Sequence, residues 1–394
     1  MKVRAIAYGV VWGSTLLAIL SKLALIPGVV RFAMWAVAVV VNCPGVLLLG
    51  QSRGYLFVRT PPGHVLAALL TCLFLEPILR WIERPLKRPE LDPEKAARGV
   101  TRRALLLTGG ALAGSSLMAG YSFLIERKNF QLHAYRLFLA NLPVGLEGLR
   151  VVVMADLHCG PVNRPGDLLP AIRMANRCKP DLILLPGDFV HVSKNYFAEA
   201  AELIELLQCR LPGGILMSWG NHDHWNDVEA ARSTLSQTQG QIVVQDRRLL
   251  QPDRTFSSSG RGLWIAGVDD LWDGKPDVPG VLRGIPRDQP RLLLAHNPDT
   301  AERQACRRLD LMLSGHTHGG QIHIPLVGTP IVPSRYGQKY ASGFVQGPSY
   351  PVYVTRGLGV GGLPVRLGVP PEVTFFELQA SPDHTRIEPI RYSS

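Results

Sequence analysis

The hydrophobic pattern changes character near residue 128. Before it, long apolar runs follow one another; after it, short apolar runs alternate with amphipathic and polar ones. Residues 5–26, 32–49, 63–79 and 104–125 are apolar almost throughout, broken only by isolated groups such as Lys22 and Glu76. Each approaches the about 17–25 residues that cross the hydrocarbon core of a bilayer. None shows the alternating polar face of a surface helix. The pattern therefore predicts a helical transmembrane region of about four spans over residues 1–128.

From residue 129 the pattern is that of a globular α/β domain, predicted over 129–394. Residues 150–155, 182–185, 215–219, 263–268, 292–295 and 309–313 read as buried strands. Residues 168–177, 197–207 and 228–237 carry helical spacing. Strands alternating with helices predict a largely parallel sheet covered on both faces. Beyond Gly319 the helices stop, and short strands around 321–324, 352–355 and 373–378 predict a second, mostly antiparallel sheet packed on the first.

Charge follows the same division. The net charge is +11, yet residues 1–128 hold 16 Lys and Arg against 6 Asp and Glu, and the rest holds 26 against 25. A near-neutral soluble part argues against a nucleic-acid partner. The basic excess suits membrane topology. The connection 80–103 carries Arg80, Arg84, Lys87, Arg88, Lys95, Arg98, Arg102 and Arg103. The positive-inside rule makes it cytoplasmic, which places the domain after the fourth span outside the cytoplasm. Lys2 and Arg4 run against that assignment. The stretch Thr101-Arg102-Arg103-Ala104-Leu105-Leu106, followed by a Gly/Ala-rich apolar run, also resembles a twin-arginine export signal. Six scattered cysteines without a Cys-x-x-Cys do not build a disulfide framework and leave the redox compartment open.

Candidate chemistry sits where the short apolar runs end. They lead into Asp156-Leu157-His158, Gly187-Asp188, Gly220-Asn221-His222-Asp223, His296-Asn297 and Gly315-His316-Thr317-His318. Ligands of parallel α/β sheets bind outside the carboxyl ends of the strands. Asp156 and His158 are two apart, as are His316 and His318, so each pair faces one way in extended chain. Asp156, His158, Asp188, Asn221, His296, His316 and His318 form a mixed nitrogen and oxygen donor set. It suits Mn, Fe, Zn or Co better than Ca or Mg. That is more donors than one ion of four to six ligands needs, which predicts two divalent ions about 3.5–4 Å apart.

This set of motifs resembles the calcineurin-like metallophosphoesterases, whose pattern is Asp-x-His, Gly-Asp, Gly-Asn-His-Asp/Glu, His and Gly-His-x-His. The extended Gly315-His316-Thr317-His318-Gly319-Gly320-Gln321, and the lead-in from Leu142-Pro143 to Gly148-Leu149-Arg150, resemble the YkuE-like membrane-associated bacterial branch. The resemblance covers roughly residues 129–380. It implies a four-layer α/β/β/α sandwich with a dinuclear site. One metal would take Asp156, His158, Asp188 and His318; the other would take Asp188, Asn221, His296 and His316. A metal-bound hydroxide would attack phosphorus in line, with His222 near the leaving oxygen as general acid or charge stabiliser. The family often has Asp three residues after the bridging Asp, orienting that histidine; here the position is His191. Either Asp223 takes over the orienting role or His222 is less basic than usual. His191 and His323 are candidate substrate contacts, and His224 and Arg335 are weaker ones.

The resulting expectation is a multi-pass membrane enzyme with an extracytoplasmic domain. It would hydrolyse phosphodiester or pyrophosphate bonds in lipid-linked or envelope substrates, with the bilayer itself as a partner. The alternatives are a cytoplasm-facing nucleotide phosphodiesterase and a catalytically idle metal-bound membrane module.

Overall fold

The computed structural model describes residue 114 and residues 117–304, 306, 308–382 and 384–391. The chain divides into two compact units, Met1–Ala119 and Gly120–Ser394. The expected spans 5–26, 32–49 and 63–79, and most of 104–125, lie outside the described residues. Residues 117–124 are helical, with Leu117, Met118, Leu124 and Ile125 exposed. Among the described residues no helix is long and apolar enough to cross a membrane.

The second unit is built on two seven-stranded sheets. The chain first lays down β1 (Gln131–Ala140), β2 (Arg150–Val153), β3 (Leu182–Leu185), β4 (Ile215–Met217) and β5 (Gln241–Ile242). It then builds the whole second sheet: β6 (Asp246–Leu250), β7 (Phe256–Ser257), β8 (Leu263–Gly267), β9 (Arg291–Leu294), β10 (Leu311–Ser314), β11 (Gly343–Gln346) and β12 (Pro351–Val354). Finally β13 (Glu372–Ser381) and β14 (Arg386–Pro389) return to the first sheet. The orders are β14-β1-β13-β2-β3-β4-β5 and β11-β12-β10-β9-β8-β6-β7.

Helices α1 (Pro165–Arg177), α2 (Phe197–Glu205), α3 (Asn221–Trp225), α4 (Val228–Leu235), α5 (Val278–Val281) and α6 (Thr300–Arg303) fill the connections. Helix α1 opens on Pro165, whose fixed φ suits the first helical position. Helix α4 is capped by the Asp227 carboxylate, which accepts from the Ala230 amide.

Strand alternation sorts the core into layers. Val151, Val153, Leu182, Leu184 and Leu216 of the first sheet meet Leu263, Ile265, Leu292, Leu294, Leu311 and Leu313 of the second. The opposite face of the first sheet, with Val152, Ile183 and Met217, packs on Leu168, Ile172, Phe197, Leu203 and Leu235 of α1, α2 and α4. The outer face of the second sheet, with Trp264, Leu293 and Met312, packs on Val278, Val281 and Ala301 of α5 and α6. The layers are thus helices, sheet, sheet, helices.

Three sequence expectations need correcting. β8, β9 and β10 lie in the second sheet, and they run parallel to one another there. The second sheet is therefore not mostly antiparallel. Residues 373–378, expected in it, instead pair with β1 and β2 in the first sheet. Residues 321–324 make only the isolated bridges of Ile322 and Ile324. A strand buried on both faces carries no alternation that says which sheet it joins.

Candidate metal centre and active site

Both sheets point their carboxyl ends at one place. β2, β3 and β4 deliver Asp156 and His158, Asp188, and Asn221 and His222. β9 and β10 of the other sheet deliver His296, His316 and His318. All of these except His222 are buried. The donors fall into two groups, Asp156 with His158 and His318, and Asp188 with His296 and His316. Asp188 lies between them, its Oδ2 3.2 Å from His296 Nε2 and 3.4 Å from His158 Nε2. In the first group His158 Nε2 and His318 Nε2 are 3.0 Å apart, and Asp156 Oδ1 is 3.5 Å from His318 Nε2. In the second, Asn221 Oδ1 joins at 2.8 Å from His316 Nδ1.

The backbone is bent to achieve this. Asp156, His158, Asp188, His316 and His318 all have positive φ, between 47° and 69°. Left-handed backbone at non-glycine residues costs on the order of 1–3 kcal/mol each and persists where surrounding structure enforces it. Gly220 and Gly315 make room, since a Cβ at either would overlap the carboxylate of Asp188 or Asp156. Around these turns stand residues that carry no motif. Asn163 donates to the carbonyls of His158 and Val360. Arg366 is fully buried and donates to the carbonyls of Arg356, Gly357, Gly359, Val369 and His318. Burial lowers its pKa to about 10, against the pull of Asp156. It stays charged and pins the returning loop under the centre. A lone buried arginine far along the chain gave no sequence signal.

The electrostatics suit cations. Burial first, then neighbouring positive groups, hold His158 and His318 well below the usual histidine range and His316 at about 3. These imidazoles are neutral and keep a lone pair for coordination. Burial raises Asp188, but His296, His222 and His158 outweigh it and hold the carboxyl well below its usual range. Asp156 is pushed up to about 7 by burial, with Asp188 adding to the rise. Burial opposes charge on His296, yet Asp188 and Asp156 raise it to about 10. Its Nδ1 lies 2.7 Å from the Pro186 carbonyl. A carbonyl can only accept, so Nδ1 carries the proton and Nε2 faces Asp188. That is the second contact by which ligating histidines are fixed. His158 Nδ1 and His318 Nδ1 are buried without hydrogen-bond partners. So much under-satisfied polar surface is costly in an ion-free interior. The donor set therefore fits divalent cations held by these residues.

His222 is brought to the edge of the first group, its ring 4.5 Å from that of His158. His191 comes with it: the two Nδ1 atoms are 3.2 Å apart, and His158, His191 and His222 form a third potential donor group. Burial, then His222, lowers His191 to about 4, and burial lowers His222. The expectation that Asp223 orients His222 is corrected. The Asp223 carboxylate is buried and accepts from the backbone amides of Asp188, Phe189 and Gly220, each at 2.9 Å. It holds the turn that carries Asp188, and His191 takes the place beside His222. The segment that carries Asn221, His222 and Asp223 is a helical turn, α3.

Two tryptophans close in on the centre. Trp225 lies 4.5 Å from the His222 ring, and Trp272 stands edge-on 4.3 Å from that of His316. The weaker candidates stay outside the donor groups. His323 is exposed beside Thr329. His224 pairs with Asp269 at 2.6 Å. Arg335 is exposed and offers its backbone amide to Asp299.

A fold of two packed sheets with paired His/Asp groups at their joint carboxyl edge defines a metal-dependent hydrolase. Residues 149–320 match the calcineurin-like phosphoesterase family. The metallophosphoesterase YkuE of Bacillus subtilis is 34% identical over 277 residues, 69% of this chain and 95% of that protein. Phosphodiesterase YaeI of Escherichia coli is 34% identical over 286 residues, 71% of this chain and 99% of that protein. A zebrafish transmembrane protein with metallophosphoesterase domain is 30% identical over 324 residues, 79% of this chain and 70% of that protein. The chain belongs to the calcineurin-like phosphoesterase family. It is a metallophosphoesterase, a hydrolase of phosphoric ester bonds.

Proposed function

We propose that this chain is a membrane-anchored phosphoesterase with a dinuclear centre, acting outside the cytoplasm on phosphodiester or pyrophosphate bonds of lipid-linked or envelope molecules. The observation that carries the dinuclear reading is the place of Asp188, within 3.4 Å of one donor group and 3.2 Å of the other. Asp156, His158 and His318 would hold one divalent ion, and Asn221, His296 and His316 the other, with Asp188 shared. Bound cations of this kind supply charge neutralisation on phosphoryl oxygens and a water of lowered pKa.

The remaining steps fall to side chains. The protein donors would hold the ions in fixed places, so that the substrate phosphoryl group is oriented by this chain's own residues. His222 serves the leaving oxygen. As an acid His222 is an imidazolium with both ring nitrogens protonated: its Nδ1–H donates to His191 Nδ1, and its Nε2–H is left for the leaving oxygen, after which His222 returns to the neutral form. Asp223 keeps the Asp188 turn in place. The diester preference is supported by the name of the E. coli relative, and the anchor by the apolar runs of residues 1–128 and the name of the zebrafish relative.

The test is metal stoichiometry. Purified full-length protein should bind two ions, and Asp188→Asn should weaken both. One ion at saturating metal, with Asp188→Asn leaving its affinity unchanged, sinks the dinuclear reading.

A further inference from the structure

We infer that His191 and His222 form a third cation site at the mouth of the centre, which takes zinc only in excess and thereby removes the acid. This rests on the proposed role of His222 and adds a way to switch it off. The two Nδ1 atoms face each other at 3.2 Å. Two imidazoles on one tetrahedral zinc ion, with Zn–N bonds of about 2.0–2.1 Å, hold their nitrogens about 3.3–3.4 Å apart. The pair therefore has the bite of two zinc ligands almost without rearrangement. In the candidate centre His158 Nε2 and His318 Nε2 stand in the same way, 3.0 Å apart. His158 is the third member of the group, whose ligand atoms all lie within 4.8 Å of one another.

Both rings are held in place. The His191 amide donates to the Cys159 carbonyl at 2.8 Å, which ties the loop after β3 to the one that carries His158. The His222 amide donates to Asp188 Oδ1 at 2.8 Å, Asn226 Nδ2 donates to the His222 carbonyl, and Trp225 lies 4.5 Å from the ring. Side chains already fixed lose little freedom on binding. Both histidines are half-buried, whereas the donors of the two principal groups are buried. An ion and its remaining waters can therefore enter from solvent.

Composition sets the metal and its rank. Imidazole nitrogens suit zinc, and the pair offers magnesium or calcium no oxygen. Each principal group adds Asp156 or Asp188 to its imidazoles. His191 and His222 bring no carboxylate and would stand beside two cations, so their site is the weakest of the three. With two ions per chain the pair keeps its hydrogen bond and His222 acts as proposed. A third ion takes the Nδ1 lone pairs of both rings. His222 then has no imidazolium form, and the leaving oxygen loses its proton donor.

The test uses full-length protein and zinc alone. Equilibrium dialysis against rising free zinc should show the tightly bound ions first and then one further, weaker ion. His191→Ala and His191→Gln should keep the tight ions and lose the weaker one. Equal zinc counts in wild type and both variants, or loss of the tight ions in both, overturns the inference. The kinetic readout uses a diester with a poor alkoxide leaving group and bis(p-nitrophenyl) phosphate. Excess zinc should slow the wild type about 10²–10⁴-fold on the first and far less on the second, and each variant should need about tenfold more zinc or above for the same effect. Equal slowing of both diesters, or variants inhibited at the wild-type zinc concentration, overturns the inference. Wild-type protein that binds the further ion through His191 but hydrolyses neither diester sinks the proposed reaction and leaves the third site standing.

Discussion

Asp223→Asn separates a carboxylate that builds the centre from one that tunes its acid. The carboxylate accepts three backbone amides, two at Oδ2 from Asp188 and Gly220 and one at Oδ1 from Phe189. An asparagine keeps one acceptor atom. Placed at the shared position, its oxygen retains two bonds, and its amide group then faces the Phe189 N–H donor to donor. Losing one bond to a charged acceptor costs about 1.5–3 kcal/mol, and a buried unpaired donor adds about 1–3 kcal/mol. Part of this is returned. Burial and the charge of Asp188 push the Asp223 carboxyl up to about 7, and a neutral amide relieves both. A net loss of about 2 kcal/mol results, which lowers Tm by about 4–8 °C in a domain of this size. Asp188 hangs on the same turn, so metal affinity should fall, and rates on activated and unactivated diesters should fall by the same factor. Thermal unfolding, metal analysis and paired kinetics read all three. Unchanged Tm and metal content, with a loss confined to poor leaving groups, would show that Asp223 acts through His222 and refute this reasoning.

His222→Ala should keep metal at the wild-type level and slow a diester with a poor alkoxide leaving group about 10²–10⁴-fold, with much less effect on an activated aryl ester. Loss of metal would make it a ligand, and equal loss on both substrates a charge stabiliser. Cation affinity should rise with pH, because His296 at about 10 holds a proton that the ion must displace. In metal-free protein that raised pKa stabilises the fold below the ordinary value of 6.5 and the contribution is lost as pH rises through 10. Affinity runs the opposite way, about tenfold per unit between pH 7 and 9; a flat profile in chelator competition refutes the assignment. Arg366→Lys should lower stability by about 2–4 kcal/mol in chemical unfolding, since one ammonium cannot reach the carbonyls that the guanidinium serves. A reporter fused after Ser394 should read the extracytoplasmic compartment; a cytoplasmic signal reverses the topology.

The fold was legible where burial is one-sided and lost where it is not. Amphipathic α1, α2 and α4 were visible because each shows an apolar face at helical spacing, as Leu168, Ile172 and Ala175 do in α1. The buried strands β2, β3, β4, β8, β9 and β10 were visible as apolar runs, but not their division between two sheets. Leu292 and Leu294 face the layer between the sheets while Leu293 faces the helices. A run apolar on both faces says only that it is covered twice. β1 was missed for the opposite reason. Its residues are mostly half-buried or exposed, and it is held by ten paired positions with β13 at the far end of the chain. No local pattern announces a partner so distant.

The centre was more legible than the fold because its donors must be chemically specific. Seven donors at strand ends survive any error about which strand joins which sheet, since parallel strands of both sheets open at one edge. What the sequence could not show is how the chain turns those donors inward. The two-residue spacing of Asp156 and His158 suggested extended chain, yet both are left-handed, as are His316 and His318. Such backbone is unfavourable by itself and needs supports from elsewhere. Asn163 braces the His158 carbonyl, Asp223 the Asp188 amide and Arg366 the His318 carbonyl. Asp223 lay inside a motif and was given the wrong task for that reason. Its position beside His222 in sequence suggested contact with the imidazole, while the helical turn of α3 aims its carboxylate at the neighbouring strand end. Supports of this kind act on backbone atoms, which every residue shares, so nothing in their identity marks what they hold. The same logic accounts for the His222 ring, proposed as the acid, meeting His191 and not the Asp223 carboxylate. The carboxylate is needed to hold Asp188, and His191, on the next turn of that same loop, is the polar side chain left to face His222.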